Sequence, residues 1–72
     1  MDQLPKKIKV LLNRLSIDNV TNGYITTKEE LIMQNGKNIL RDYAIFTGWD
    51  KNGNVVCVLE KRYKANWTLV NI

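Results

Sequence analysis

Histidine is absent from the 72 residues, and cysteine and proline occur once each. The lack of histidine removes the commonest general base and the commonest metal ligand together. With Cys57 alone no internal disulfide can form, which excludes the small secreted folds held by disulfides and points to a reducing, cytoplasmic setting. Long apolar runs are missing too. The N-terminal MDQLPKKIKVLLNRL mixes its cations with its leucines, and no stretch approaches the roughly 20 apolar residues that a membrane-crossing helix needs. No membrane partner is expected. The triplets Asn19-Val20-Thr21 and Asn66-Trp67-Thr68 fit a glycosylation pattern but carry no meaning without an export signal.

Recognisable chemistry is equally scarce. Cys57 lies between valines in Val55-Val56-Cys57-Val58-Leu59, where a thiol behaves as a small hydrophobe. The carboxylates Asp2, Asp18, Glu29, Glu30, Asp42, Asp50 and Glu60 form no recognisable acid/base pair; Asp50 reads as a turn residue and Glu30 as a cap or cross-strand partner. There is no phosphate-binding loop, nucleophile elbow or metal-ligand spacing. The expectation is therefore a binding protein with no catalytic residue, no metal and no cofactor, and not an enzyme.

What is present suits one small domain spanning residues 1–72. The chain is 44% hydrophobic and 25% charged, inside the globular range. A chain this short buries only about 60% of the surface its unfolded form exposes. A thin core, marginal stability and a homodimer all fit that arithmetic. The net charge of +4 tilts partners towards polyanions, nucleic acid among them, although a Lys-, Asn- and Ile-rich composition gives the same charge without a binding role.

Leu4, Ile8, Leu11, Leu12 and Leu15 recur at the spacing of an amphipathic helix packed on one side, so a helix is expected over about 4–16, with Pro5 in its first turn and Asp2 or Leu4 as its cap. Lys6, Lys7 and Lys9 then stand against the helix dipole, at about 0.3–1 kcal/mol each. They read as a solvated face before they read as a ligand site. The turn-rich segment 16–23 ends the helix.

Three Asn-Gly pairs follow, at 22–23, 35–36 and 52–53. Asn-Gly between alternating apolar residues is the strongest short hairpin signal, because both residues tolerate the positive φ of the turns that match strand twist. Around the third pair, Asp50 and Gly53 fit a type I turn with a glycine bulge, linking strands at about 42–49 and 54–63. At the second pair two readings compete. Thr27 and Glu30 offer a capping box for a short helix at 28–35 ending at Gly36, whereas a two-residue turn sets Gln34 opposite Lys37, Ile32 opposite Ile39, Leu31 opposite Leu40 and Glu30 opposite Arg41. The hairpin is preferred. The fold expected is α+β: an N-terminal amphipathic helix packed on a three- or four-stranded antiparallel β-meander, with strands near 29–34, 37–49, 54–63 and 67–72.

Strict alternation puts Tyr43, Ile45, Thr47 and Trp49 on one face with Val55, Cys57, Leu59, Lys61 and Tyr63, and Leu40, Ala44, Phe46 and Gly48 on the other with Val56, Val58, Glu60 and Arg62. The helix has two places to dock. Ala44 and Gly48 leave room on the second face, but the first carries the fuller apolar set, Ile32, Ile39, Ile45, Cys57 and Leu59, and is the favoured side. Either arrangement leaves a surface that wants a partner.

The candidate nucleic-acid residues are Arg41, Lys61, Arg62 and Lys64 for phosphates and Tyr43, Trp49, Tyr63 and Trp67 for stacking on bases. In EKRYKANW, residues 60–67, an extended strand would send Lys61 and Tyr63 to one side and Arg62 and Lys64 to the other, so the stretch reads first as a strand end. The rival expectation is a protein-binding module that inhibits or modulates a larger cellular protein through an apolar sheet face or a sheet edge, of the size that phages and mobile elements make.

Overall fold

The computed structural model describes residues 4–71 and has one helix, α1 (Lys6–Arg14), followed by β1 (Asn22–Gln34), β2 (Lys37–Trp49), β3 (Val55–Lys61) and β4 (Thr68–Asn71). The four strands form one antiparallel sheet in the order β1-β2-β3-β4, a meander with each strand beside its neighbour in sequence. The α+β expectation holds. No helix among the described residues is long and apolar enough to cross a membrane.

The helix is shorter than its apolar stripe. Pro5, in extended conformation, occupies the N-cap position, and its carbonyl accepts from the Ile8 and Lys9 amides. Leu4 is thus not the cap, and Asp2 lies outside the described residues. Ser16 at φ 58 turns the chain away after Leu15. Ile8 and Leu12 are buried, Leu4 and Leu11 pack partly against the core, and Leu15 at the end of the stripe is exposed.

At 28–36 the hairpin prevails over the helix. Asn35 and Gly36 both have positive φ, 53° and 76°, the conformation of a type I′ turn. The ladder has Gln34 opposite Lys37, Ile32 opposite Ile39, Leu31 opposite Leu40 and Glu30 opposite Arg41, and Thr27 sits inside the strand rather than capping a helix. The first Asn-Gly pair makes no turn. Asn22 and Gly23 open β1 opposite Trp49 and Gly48, so β1 starts seven positions earlier than the expected residue 29, and Gly23 serves close packing instead: a Cβ there would lie 2.5 Å from Phe46 Cζ and 2.7 Å from the Thr47 carbonyl oxygen.

The third pair turns the chain as expected. The Asp50 amide donates to the Asn54 carbonyl, the Gly53 amide to the Asp50 carbonyl, and the Asp50 carboxylate accepts from the Asn52 and Asn54 amides at 2.9 and 3.0 Å. Just past this turn the ladder slips. Trp49 faces Val55 but Gly48 faces Cys57, so Val56 is an extra residue and every later β3 side chain changes sides.

That bulge corrects the face assignment. Cys57, Leu59 and Lys61 join Ala44, Phe46 and Gly48, while Val58 and Glu60 join Thr47 and Ile45. The helix docks on the Phe46 face, not on the favoured Ile45 face, because the bulge transfers Cys57 and Leu59 to that side; Gly23 and Gly48 there make room for the Phe46 ring and Val20 rather than for the helix itself. The core is thin, as the length requires: among the described residues only Ile8, Leu12, Phe46, Cys57 and Leu59 are buried hydrophobics. Val20, Val56 and Trp67 pack around them. Each large side chain so buried contributes about 1.5–3 kcal/mol. Burial pushes the Cys57 thiol above its ordinary pKa, which keeps it a neutral filler.

Only Ala44 to Trp49 of β2 pair with β3, so Lys28–Gln34 and Lys37–Tyr43 run on as a two-stranded ribbon beyond the core. The molecule measures 45 × 21 × 20 Å, and its radius of gyration is 13.9 Å. A compact chain of this length would have about 11 Å.

Candidate nucleic-acid interface

Among the described residues no helix lies over the sheet face opposite α1. Tyr24, Lys28 and Glu30 from β1, Arg41, Tyr43, Ile45, Thr47 and Trp49 from β2, and Val58 and Glu60 from β3 alternate onto it. These side chains fall into two aromatic groups. At one end the rings of Tyr24 and Trp49 lie 5.5 Å apart, tilted by 51°. At the other, Tyr43 and Tyr63 each carry a guanidinium over the ring, Arg62 at 4.8 Å and Arg41 at 4.7 Å, with the Lys64 ammonium 5.6 Å from Tyr63. Tyr43 and Trp49 are six positions apart on one strand, about 20 Å at strand rise.

The turn after β3 builds the second group. An extended chain would part Tyr63 from Arg62, but β3 ends at Lys61, the Ala65 amide donates to the Arg62 carbonyl, and Lys64 takes φ 58°. This turn carries Tyr63 and Lys64 to the open side beside Arg62. EKRYKANW is therefore a strand end that turns, and the turn gathers the cations that alternation would separate.

Carboxylates organise the cluster. Tyr43 Oη donates to Glu60 Oε2, and that bond, with burial and the carboxylate's charge, holds the phenol above its ordinary pKa. Arg62 spans Glu60 and Glu30, both at 3.7 Å. These exposed pairs are each worth only about 0–1 kcal/mol and serve to orient the guanidinium. Glu30 stands opposite Arg41 in the ladder, yet it pairs with Arg62. Arg41 is left with no carboxylate within 4 Å among the described residues; one terminal nitrogen donates to the Leu40 carbonyl and its Nε is buried without a partner.

Of the eight residues expected from sequence, Arg41, Tyr43, Trp49, Arg62, Tyr63 and Lys64 share this face. Lys61 and Trp67 do not. Lys61 stands opposite Ala44 on the helix side, moved there by the bulge, and Trp67 packs against the core on that same side. Other charged and aromatic side chains on the face were not among the expected eight, including Tyr24, Lys28, Glu30 and Glu60. The hairpin register already put Glu30 beside Arg41, and extending it back along β1 would have found Lys28 and Tyr24.

Compared with known proteins, the chain matches no family model, and neither a curated protein nor a solved structure shows significant similarity to it.

Proposed function

We propose that this is a non-enzymatic nucleic-acid-binding protein, accessory or regulatory in role, that lays single-stranded nucleic acid along the open face of its sheet. The observation that carries the reading is the pair of guanidinium-capped tyrosines, Arg62 on Tyr43 and Arg41 on Tyr63, on the sheet face opposite α1. Bases stack on aromatic rings and on guanidinium planes, for about 1–3 kcal/mol per base, while cations hold the phosphates. Lys28, Arg41, Arg62 and Lys64 outnumber Glu30 and Glu60 there, and Arg41 has no carboxylate partner among the described residues. The reading assigns phosphates to Arg41, Arg62 and Lys64 and stacking to Tyr43, Tyr63 and Trp49, and it places the protein in the cytoplasm, where a lone thiol stays reduced.

The test compares charge reversal on the two faces. Arg41→Glu should weaken binding of a short single-stranded oligonucleotide at least tenfold, and Lys61→Glu, on the helix side, should leave it within about twofold, since base stacking and phosphate contact both lie on the other face. Equal losses would reduce the interaction to net charge and reject the site.

A second reading rests on a separate observation. On the helix side of the ribbon Leu31, Met33 and Leu40 are 62%, 71% and 54% exposed, an apolar stripe of the kind that marks a protein interface. In that reading the chain modulates a larger protein through the stripe.

A further inference from the structure

The stripe has a complement within the same molecule. Beside α1, Val10, Leu11 and Trp67 floor a groove of about 540 Å³ whose rim is Lys6, Lys7 and Arg14. These three cations have no carboxylate within 4 Å among the described residues. The ribbon has the opposite pattern. Leu31, Met33 and Leu40 share their face with Glu29 and Asp42, which stand directly opposite each other in the ladder and have no cation within 4 Å among the described residues. Like charges so placed destabilise a strand pair. An isolated two-stranded ribbon is itself marginal in water. On this face the ribbon therefore lacks an apolar cover and a positive charge, and the groove offers both.

We propose that Leu31, Met33 and Leu40 of one copy pack into the groove between α1 and Trp67 of a second copy, with Glu29 and Asp42 meeting Lys6, Lys7 and Arg14. The ribbon of a chain cannot reach its own groove, since it runs away from the core along the 45 Å axis of the molecule. A two-fold axis parallel to the sheet solves the geometry. It sets the helix-bearing faces of two copies against each other, each ribbon lying over the other's helix, so that the two helices share one layer between two sheets. The interface is isologous and closes at two copies, as point symmetry requires. Both open faces then point outward on opposite sides of the dimer, so the arrangement is independent of the nucleic-acid reading and compatible with it.

The test is a charge swap read by sedimentation or light scattering. The unmodified chain should have twice the monomer mass. Glu29→Lys with Asp42→Lys makes ribbon and groove both positive, and Lys6→Glu, Lys7→Glu and Arg14→Glu together make both negative, so each variant alone should fall to the monomer mass. Mixed in equal amounts they should recover the dimer, because each ribbon then meets a groove of opposite charge. Recovery also proves that both variants fold. Three results would overturn the proposal: a monomeric unmodified chain at its highest soluble concentration, variants that remain dimers alone, or monomeric variants that fail to pair when mixed. The first of these would leave the stripe to a different protein, which separates failure of this proposal from failure of the second reading above. A Leu31→Ser, Met33→Ser chain, with both charge sets intact, should also be monomeric.

Discussion

Gly48 stands opposite Cys57 across β2 and β3, one position further along β3 than an unbroken ladder from the Trp49–Val55 pair would allow. The extra residue is Val56. Because the side-chain period of a strand is two, this one residue decides that Leu59 and Cys57 meet Phe46 under the helix and that Glu60 meets Tyr43 on the open face.

Deleting Val56 should therefore be tolerated, since Cys57 then follows Val55 in a regular ladder with every later side chain on its present face. Inserting one residue between Val58 and Leu59, in addition to the bulge already there, would instead turn Leu59 outward and empty the core. Thermal unfolding followed by circular dichroism should give a cooperative transition for the deletion and none for the insertion.

Gly23 and Phe46 touch so closely that any side chain at 23 must displace the ring or the Thr47 backbone. Gly23→Ala should cost about 1–3 kcal/mol, the usual penalty for overpacking. Urea unfolding would register it as a lower midpoint at unchanged slope.

Two groups link stability to pH. Two backbone amides hold the Asp50 carboxylate below its ordinary value of 3.8, so its contribution is present above that value and is lost as pH falls through the depressed one. The Tyr43 phenol is raised above 10.0 by its bond to Glu60, so its contribution is present below that value and is lost as pH rises through the raised one. Relative to the unmodified chain, Asp50→Asn should flatten the acid limb of the urea midpoint against pH and Tyr43→Phe the alkaline limb. Were each variant to run parallel to the unmodified chain, neither group would be linked to folding.

How much of this could be read from residues alone follows from the range of each signal. The Asn35-Gly36 turn is local, and its register extends by counting, so the pairs from Gln34–Lys37 to Glu30–Arg41 were legible. The bulge at Val56 is not local. No residue type marks it, since Val-Val-Cys-Val fits a regular strand, and only the packing of Leu59 and Cys57 beside Ile8 and Leu12 reveals the slip. The helix face and the places of Lys61 and Arg62 depended on that slip. Asn22-Gly23 misled for a related reason: the dipeptide that elsewhere makes turns here supplies the gap that the Phe46 ring fills. The position of Tyr63 depended on where β3 stops, the least legible property of any element.

Trp49 reports directly on the proposed binding of single-stranded nucleic acid to the open face. A Trp67→Phe chain leaves Trp49, paired with Tyr24 on that face, as the sole indole. Titrating it with a short single-stranded oligonucleotide at low and at raised salt should quench the fluorescence at low salt and weaken binding steeply as salt is added, as phosphate contacts demand. An unchanged Trp49 signal at low salt would contradict the claim.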